Sequence, residues 1–193
     1  MKTKVMDLWE WATDLVLLNV LWFVCCIPLI TIGASTVALW DVMLQRIRNE
    51  EPFIIKDFYS SFRRHFKRAT LAWGFVLGIG LLLVTNFVIC HIFQELQVLE
   101  LVFAAFFLCL IGFCQYIFPL VSQCEKSLRE LIKTAAFLAI GFLPKTLMVT
   151  SVALLPLIIA VCVSHSMFGM LLCVVFAVAF STWLNARILN QIF

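Results

Sequence analysis

"CCIPLITIGAST", residues 25–36, lies inside an apolar run from 15 to 40 that contains no Asp, Glu, Lys or Arg. About 20 such residues suffice to cross the hydrocarbon core as a helix, so the run is long enough to span. Pro28 interrupts it. Proline donates no amide proton and crowds the carbonyl four residues earlier, so the carbonyl of Val24 must find another partner within the protein. After the break, Thr31, Ser35 and Thr36 offer hydroxyls, and Gly33 and Ala34 allow a second backbone to come close. Two readings are open: a broken helix around a transported ligand, or a joint where helices pack closely. The joint accounts for every residue without a substrate, and Pro28, Thr31, Gly33, Ala34, Ser35 and Thr36 are assigned to it.

Outward from this stretch the same chemistry repeats. The chain is 64% hydrophobic and 13% charged, where a soluble domain carries about half and a quarter. Further uncharged runs cover 69–94, 101–124 and 146–186. The last is about twice the length of a span and divides at Ser164, His165 and Ser166. The expected fold is all-α, one polytopic membrane domain over 1–193. It has about five transmembrane helices, at 15–40, 69–93, 101–121, 146–163 and 167–186, with amphipathic interfacial helices on the cytoplasmic side. The run to 40 exceeds the apolar core of about 7 to 15 residues of a secretory signal, so it reads as a retained membrane segment.

Cations lie in loops 41–68 and 122–145: Arg46, Arg48, Lys56, Arg63, Arg64, Lys67 and Arg68 in the first, Lys126, Arg129, Lys133 and Lys145 in the second. The turns near 93–100 and 164–166 carry no Lys or Arg. The positive-inside rule makes the two basic loops cytoplasmic. Five spans then place the N-terminus outside, against the weak pull of Lys2 and Lys4; a re-entrant first segment would put both termini inside. The net charge of +3 reflects loops beside anionic lipid rather than a nucleic-acid surface.

Residues 5–14 alternate acids and apolar groups at helical spacing and read as an interfacial helix. Trp40 follows Trp11 by 29 positions, about 43 Å at helical rise, so the indoles read as belts on opposite sides of the first span. In the first basic loop Asp57 is placed to cap a helix. There Phe58, Phe62 and Phe66 form one face, and Arg63, Arg64, Lys67 and Arg68 form others. The pattern suits an in-plane helix with rings in the acyl boundary and cations on lipid headgroups, or docked on a partner's cytoplasmic surface. In the second loop Ser127 and Glu130 match a capping box. An apolar stripe follows through Leu138, with Arg129 and Lys133 on the polar side, and Gly141 and Pro144 read as the stop. The two halves, 57–121 and 127–190, share a pattern of basic helix and membrane hairpin.

No paired carboxylates, nucleophile elbow, phosphate loop or metal-spaced cluster occurs, so no catalytic residue, metal ligand or cofactor is assigned. The eight cysteines contain no C-x-x-C and lie mostly at membrane depth, where a thiol behaves as a small hydrophobe. His91 and His165 stand at wet helix ends. Asn19, Thr85, Asn86, Gln115 and Asn185 can hydrogen-bond between helices. Gly74 and Gly78 form a G-x-x-x-G.

"LLNVLWFVCCIPLITIGASTVAL" (17–39), "RNEEPFIIKDFYSSFRRHFKRATLAW" (48–73) and "LPKTL" (143–147) closely resemble the YesL-like family, bacterial integral membrane proteins catalogued as a domain of unknown function. The resemblance covers most of the chain and is most specific over 27–36; Pro52 departs from it, glycine being more usual there. Family genes commonly stand beside those of carbohydrate ABC importers and glycoside hydrolases. The resemblance therefore implies a non-enzymatic accessory subunit in the bacterial cell membrane, with membrane lipid and the importer's permease subunits as partners. It supplies no catalytic residues. A transporter or channel in its own right is the alternative.

Overall fold

The computed structural model of the chain describes residues 2–48, 53–92, 97–124, 126–142, 144–148, 150, 151, 182, 185 and 186. All its described elements are helical: α1 (Lys2–Cys26), a 3-10 turn (Leu29–Thr31), α2 (Ile32–Ile47), α3 (Ile54–Ile92), α4 (Gln97–Gln123) and α5 (Leu128–Gly141). A short helical piece resumes at Pro144, where proline's missing amide proton would be unpaired in any case.

The apolar run 15–40 is not one straight span. Arg46 Nη2 lies 2.6 Å from Asp14 Oδ2, and the Trp22 indole donates to Thr36 Oγ1 at 3.3 Å. In an unbroken helix Asp14 and Arg46 would stand about 48 Å apart. The break at Pro28 instead turns α2 back along α1 as an antiparallel hairpin. Its N-terminal half and the Arg46 region therefore share one end of the molecule. The belt reading of the indoles falls with this, because Trp40 is not at an opposite surface: it is buried in the core. Residues 5–14 form no separate interfacial helix either; they continue into α1 without a break.

The second correction concerns 57–68. An in-plane helix must bend before it enters the bilayer, yet α3 runs unbroken for 39 residues, about 58 Å. The basic segment is thus the stem of the same helix that carries the apolar run from Ala69. Asp57 sits in the first turn rather than at the cap, where its charge still favours the helix N-terminus. The phenyl rings form no lipid-facing stripe: Phe58 is 2% exposed, and Phe62 and Phe66, edge to face at 5.5 Å, are half-buried, packed against the core on one side and lining an outer cavity on the other. Ile54, Phe58, Ser61, His65, Ala69, Ala72 and Val76 are the buried residues of this stretch. Their spacing of three and four is that of a helix seam, and the seam lies against α2.

α4 returns antiparallel to α3, with Trp73 near Phe118, Gly80 near Leu110 and His91 near Glu100. α5 buries Leu131 and Ala135 on the base of α4. Ser127 is its N-cap residue, but its side chain makes no capping bond, so the expected capping box does not form. The helix ends at Gly141 as expected, with Phe142 N–H donating to Leu138 O.

α3 and the 99–123 part of α4 are long and apolar enough to cross a membrane, and in their most apolar windows only 11% and 22% of residues are buried. A core helix of a soluble protein would hide most of such a window; these leave it for another apolar phase to cover. The expected spans 146–163 and 167–186, and with them most of the second half of the proposed repeat, lie almost wholly outside the described residues.

Candidate functional site

Two polar constellations stand out against the apolar background. The first is the turn at Pro28. The carbonyl of Val24, freed by proline, accepts from Ile27 N–H at 3.4 Å. Thr31 closes the rest, its hydroxyl within bonding distance of Cys25 O (2.6 Å) and Pro28 O (2.7 Å), while its amide donates to Pro28 O. Leu29 O accepts from the Trp73 indole of α3 at 2.9 Å. These bonds satisfy the turn's backbone from within the protein, as backbone groups kept from water require. The turn's outer side is apolar, with Ile27, Leu29 and Ile30 exposed.

Gly33 lies where α2 meets α3. A Cβ added there would come within 2.5 Å of Trp73 Cβ and 2.6 Å of Ala69 O, and backbone cannot yield as a flexible side-chain tip does. Ala34 is fully buried beside it. Ser35 and Thr36 donate to the carbonyls of Thr31 and Ile32, one turn back in α2. Of the six residues assigned to the joint, then, Gly33 and Thr36 meet other helices, α3 and α1 respectively, while Thr31 closes the turn itself. Gly74 and Gly78 play no comparable part, since a Cβ on either would meet nothing within 4 Å.

The second constellation escaped the sequence reading. Asp41, one residue beyond the uncharged run, is 3% exposed. Its Oδ2 accepts from Arg64 Nη2 of α3 at 3.1 Å, and its Oδ1 from Gln123 Nε2 of α4 at 3.3 Å. Arg64 Nε in turn donates to Nε2 of the buried His65 at 3.1 Å. One carboxylate therefore ties α2, α3 and α4 together at the basic end, as buried charge must be paired and hydrogen-bonded. The sequence signal was available in outline: an acid among residues 37–44, all buried, needs a cation, and the nearest downstream arginines are candidates.

Arg63, Lys67, Arg68, Arg129 and Lys133 are exposed, as the sequence places them. Thr85 and Asn86, expected to bond across helices, instead donate to Leu81 O and Leu82 O within α3. Interhelical polar contact comes from Tyr116, whose hydroxyl lies 3.0 Å from Thr146 Oγ1; Thr146 itself donates toward Ala139 O and Phe142 O. His91 Nδ1 stands 3.3 Å from Glu100 Oε1 at the far end. Among the described residues no three His, Cys, Asp or Glu converge as metal donors.

These features define an all-helical protein with two helices of membrane-crossing length and a proline-broken hairpin folded against them. A family model described as a protein of unknown function, DUF624, matches residues 15–87, which takes in the second half of α1, all of α2, most of α3, and both the proline turn and Asp41. No curated protein and no solved structure matches the chain.

Proposed function

We propose that this chain is a non-enzymatic scaffold or accessory subunit of the bacterial cell membrane, working beside the permease of a carbohydrate ABC importer. The observation that carries the scaffold reading is how the polar groups are used. The proline-turn carbonyls, Asp41 and Tyr116 are engaged in holding helices to one another. Meanwhile the far parts of α3 and α4 leave Leu81, Leu82, Phe87, Ile89, Leu101 and Phe106 exposed. A protein built for chemistry would aim polar groups into a cavity; this one turns them inward and offers apolar helix faces to lipid or to another membrane protein. The importer as partner comes from the resemblance to the YesL-like family. Purification in mild detergent with identification of co-purifying chains tests it: recovery of a permease supports it, and repeated recovery of none counts heavily against it.

The topology belongs to the same proposal. Five crossings become four once the first segment is folded back: α3, α4 and the two segments 146–163 and 167–186. The hairpin re-enters on the basic side, both basic loops are cytoplasmic, and Lys2 and Lys4 then obey the positive-inside rule instead of opposing it. Reporters fused at the N-terminus, in the 63–68 region and at His165 should give the first two in one compartment and the third in the other.

A transporter in its own right is the second reading, favoured by one observation: an ionisable group buried among helices is a common mark of an ion pathway, and Asp41 is one. Solute flux into liposomes holding the pure chain separates the readings, since a scaffold leaves them sealed.

A further inference from the structure

We infer that the outer face of the α3 stem binds the phosphate headgroup of an anionic phospholipid at a defined site. A cavity of about 610 Å³ is lined there by Tyr59, Phe62, Arg63, Arg64, Phe66, Lys67 and Arg68. Lys56, Arg63 and Lys67 stand at intervals of seven and four, which on a helix is one face, and it is the face opposite the buried seam. The described residues give Arg63, Lys67 and Arg68 no carboxylate partner: the ion pairs are Asp14–Arg46, Asp41–Arg64 and His91–Glu100. Three guanidinium and ammonium groups within six residues thus face outward uncompensated, which is the charge complement of a phosphodiester. Arg64 borders the same cavity with its side chain 59% exposed while one nitrogen is held by Asp41.

Depth selects the lipid over other phosphates. The uncharged run of α3 begins at Ala69, so Lys67 and Arg68 lie at the hydrocarbon boundary and Arg63 about 9 Å below it. The three cations thus cover a headgroup layer of roughly 5 to 8 Å, from its hydrocarbon edge to just past its outer side. The aromatic lining is compatible with the same occupant: half-buried Phe66, about 4.5 Å outside the boundary, lies near glycerol depth, and Tyr59 and Phe62 wall the cavity on its outer side, beside cations long enough to reach a phosphate. An upright stem makes this a localised site, where an in-plane helix would spread its charge over many lipids. The inference does not depend on the importer reading.

The test uses the full chain in uncharged detergent, titrated with short-chain phosphatidylglycerol, phosphatidylcholine or inorganic phosphate, with bound lipid counted by native mass spectrometry. Phosphatidylglycerol should bind at least about tenfold more tightly than phosphatidylcholine. Replacing Arg63→Gln, Lys67→Gln and Arg68→Gln together should weaken it on the order of a hundredfold, at about 1 kcal/mol per cation. The matched set Lys126→Gln, Arg129→Gln and Lys133→Gln should change it less than about threefold, because it removes equal charge elsewhere. Equal loss in both sets, or equal affinity for the two lipids, would overturn the site. Inorganic phosphate displacing the lipid at comparable concentration would overturn the lipid as its occupant. Should the triple variant lose helicity, Lys67→Gln alone, at an exposed position, must still weaken phosphatidylglycerol selectively.

Discussion

The two ends of α3 are built on different principles. Around the stem, α2 and the base of α4, which α5 flanks, enclose a core that contains Val37, Leu39, Met43, Phe58, Tyr116 and Leu131, with a buried carboxylate at its basic end. Twenty residues further along the same helix, Leu81, Leu82, Val88 and Ile92 are exposed, and Thr85 and Asn86 are satisfied by their own helix. In water the second arrangement would be untenable; in hydrocarbon it costs little, because apolar surface gains nothing further by leaving lipid. Stability at the basic end therefore rests on particular contacts, and at the far end on the solvent.

Substitutions ranked by size test that division. The largest effect belongs to Gly33→Leu, which must separate α2 from the backbone of α3. Overpacking costs about 1 to 3 kcal/mol in ordinary cores, and at 2.6 Å from a carbonyl the loss should reach the top of that range or prevent assembly, read as the midpoint of thermal unfolding in detergent. Arg64→Ala follows, at about 2 kcal/mol, since it leaves Asp41 buried with the Gln123 amide as its donor, while the arginine's own exposure keeps the loss below that of a fully buried pair. Asp41→Asn should cost less than Arg64→Ala, because the arginine left behind is largely in solvent; the reverse order would mean that Asp41 is not the desolvated partner. Thr31→Val removes the hydroxyl that serves two turn carbonyls and should cost about 1 to 2 kcal/mol by the same measurement. Gly78→Ala should be neutral within about 0.5 kcal/mol or slightly stabilising, as nothing lies near it and alanine is the better helix former. A Gly78→Ala loss comparable to that of Gly33→Leu would erase the distinction between the two ends.

The same division explains what the sequence made legible. Helical class, the apolar runs that form α3 and α4, the break at Pro28, the closeness implied by Gly33 and the end of α5 at Gly141 are local signals: periodicity, uncharged length, a missing amide donor, a missing side chain. Three things were not local. An apolar run of 26 residues reads the same whether it crosses once or doubles back, and only the Asp14–Arg46 and Trp22–Thr36 contacts distinguish these. The aromatic repeat of Phe58, Phe62 and Phe66 satisfies lipid and protein core equally well, since both are apolar; Phe58 went wholly to the core and Phe62 and Phe66 in part. Asp41 carries no local sign of its role, because a single acid at the end of an uncharged run looks the same whether it is buried or at a boundary. Its burial depends on Arg64, 23 positions away.

The hairpin's contacts also constrain the order of assembly. Leu29 waits for an indole 44 positions downstream, and Gly33 has no seat until Ala69 and Trp73 are in place. The proline hairpin is thus completed by a helix made later than itself: it must wait until α3 is in place, then fold in against it. Interrupting synthesis after residue 60 should leave a hairpin that proteases can still reach, whereas interruption after residue 92 should leave one that they cannot.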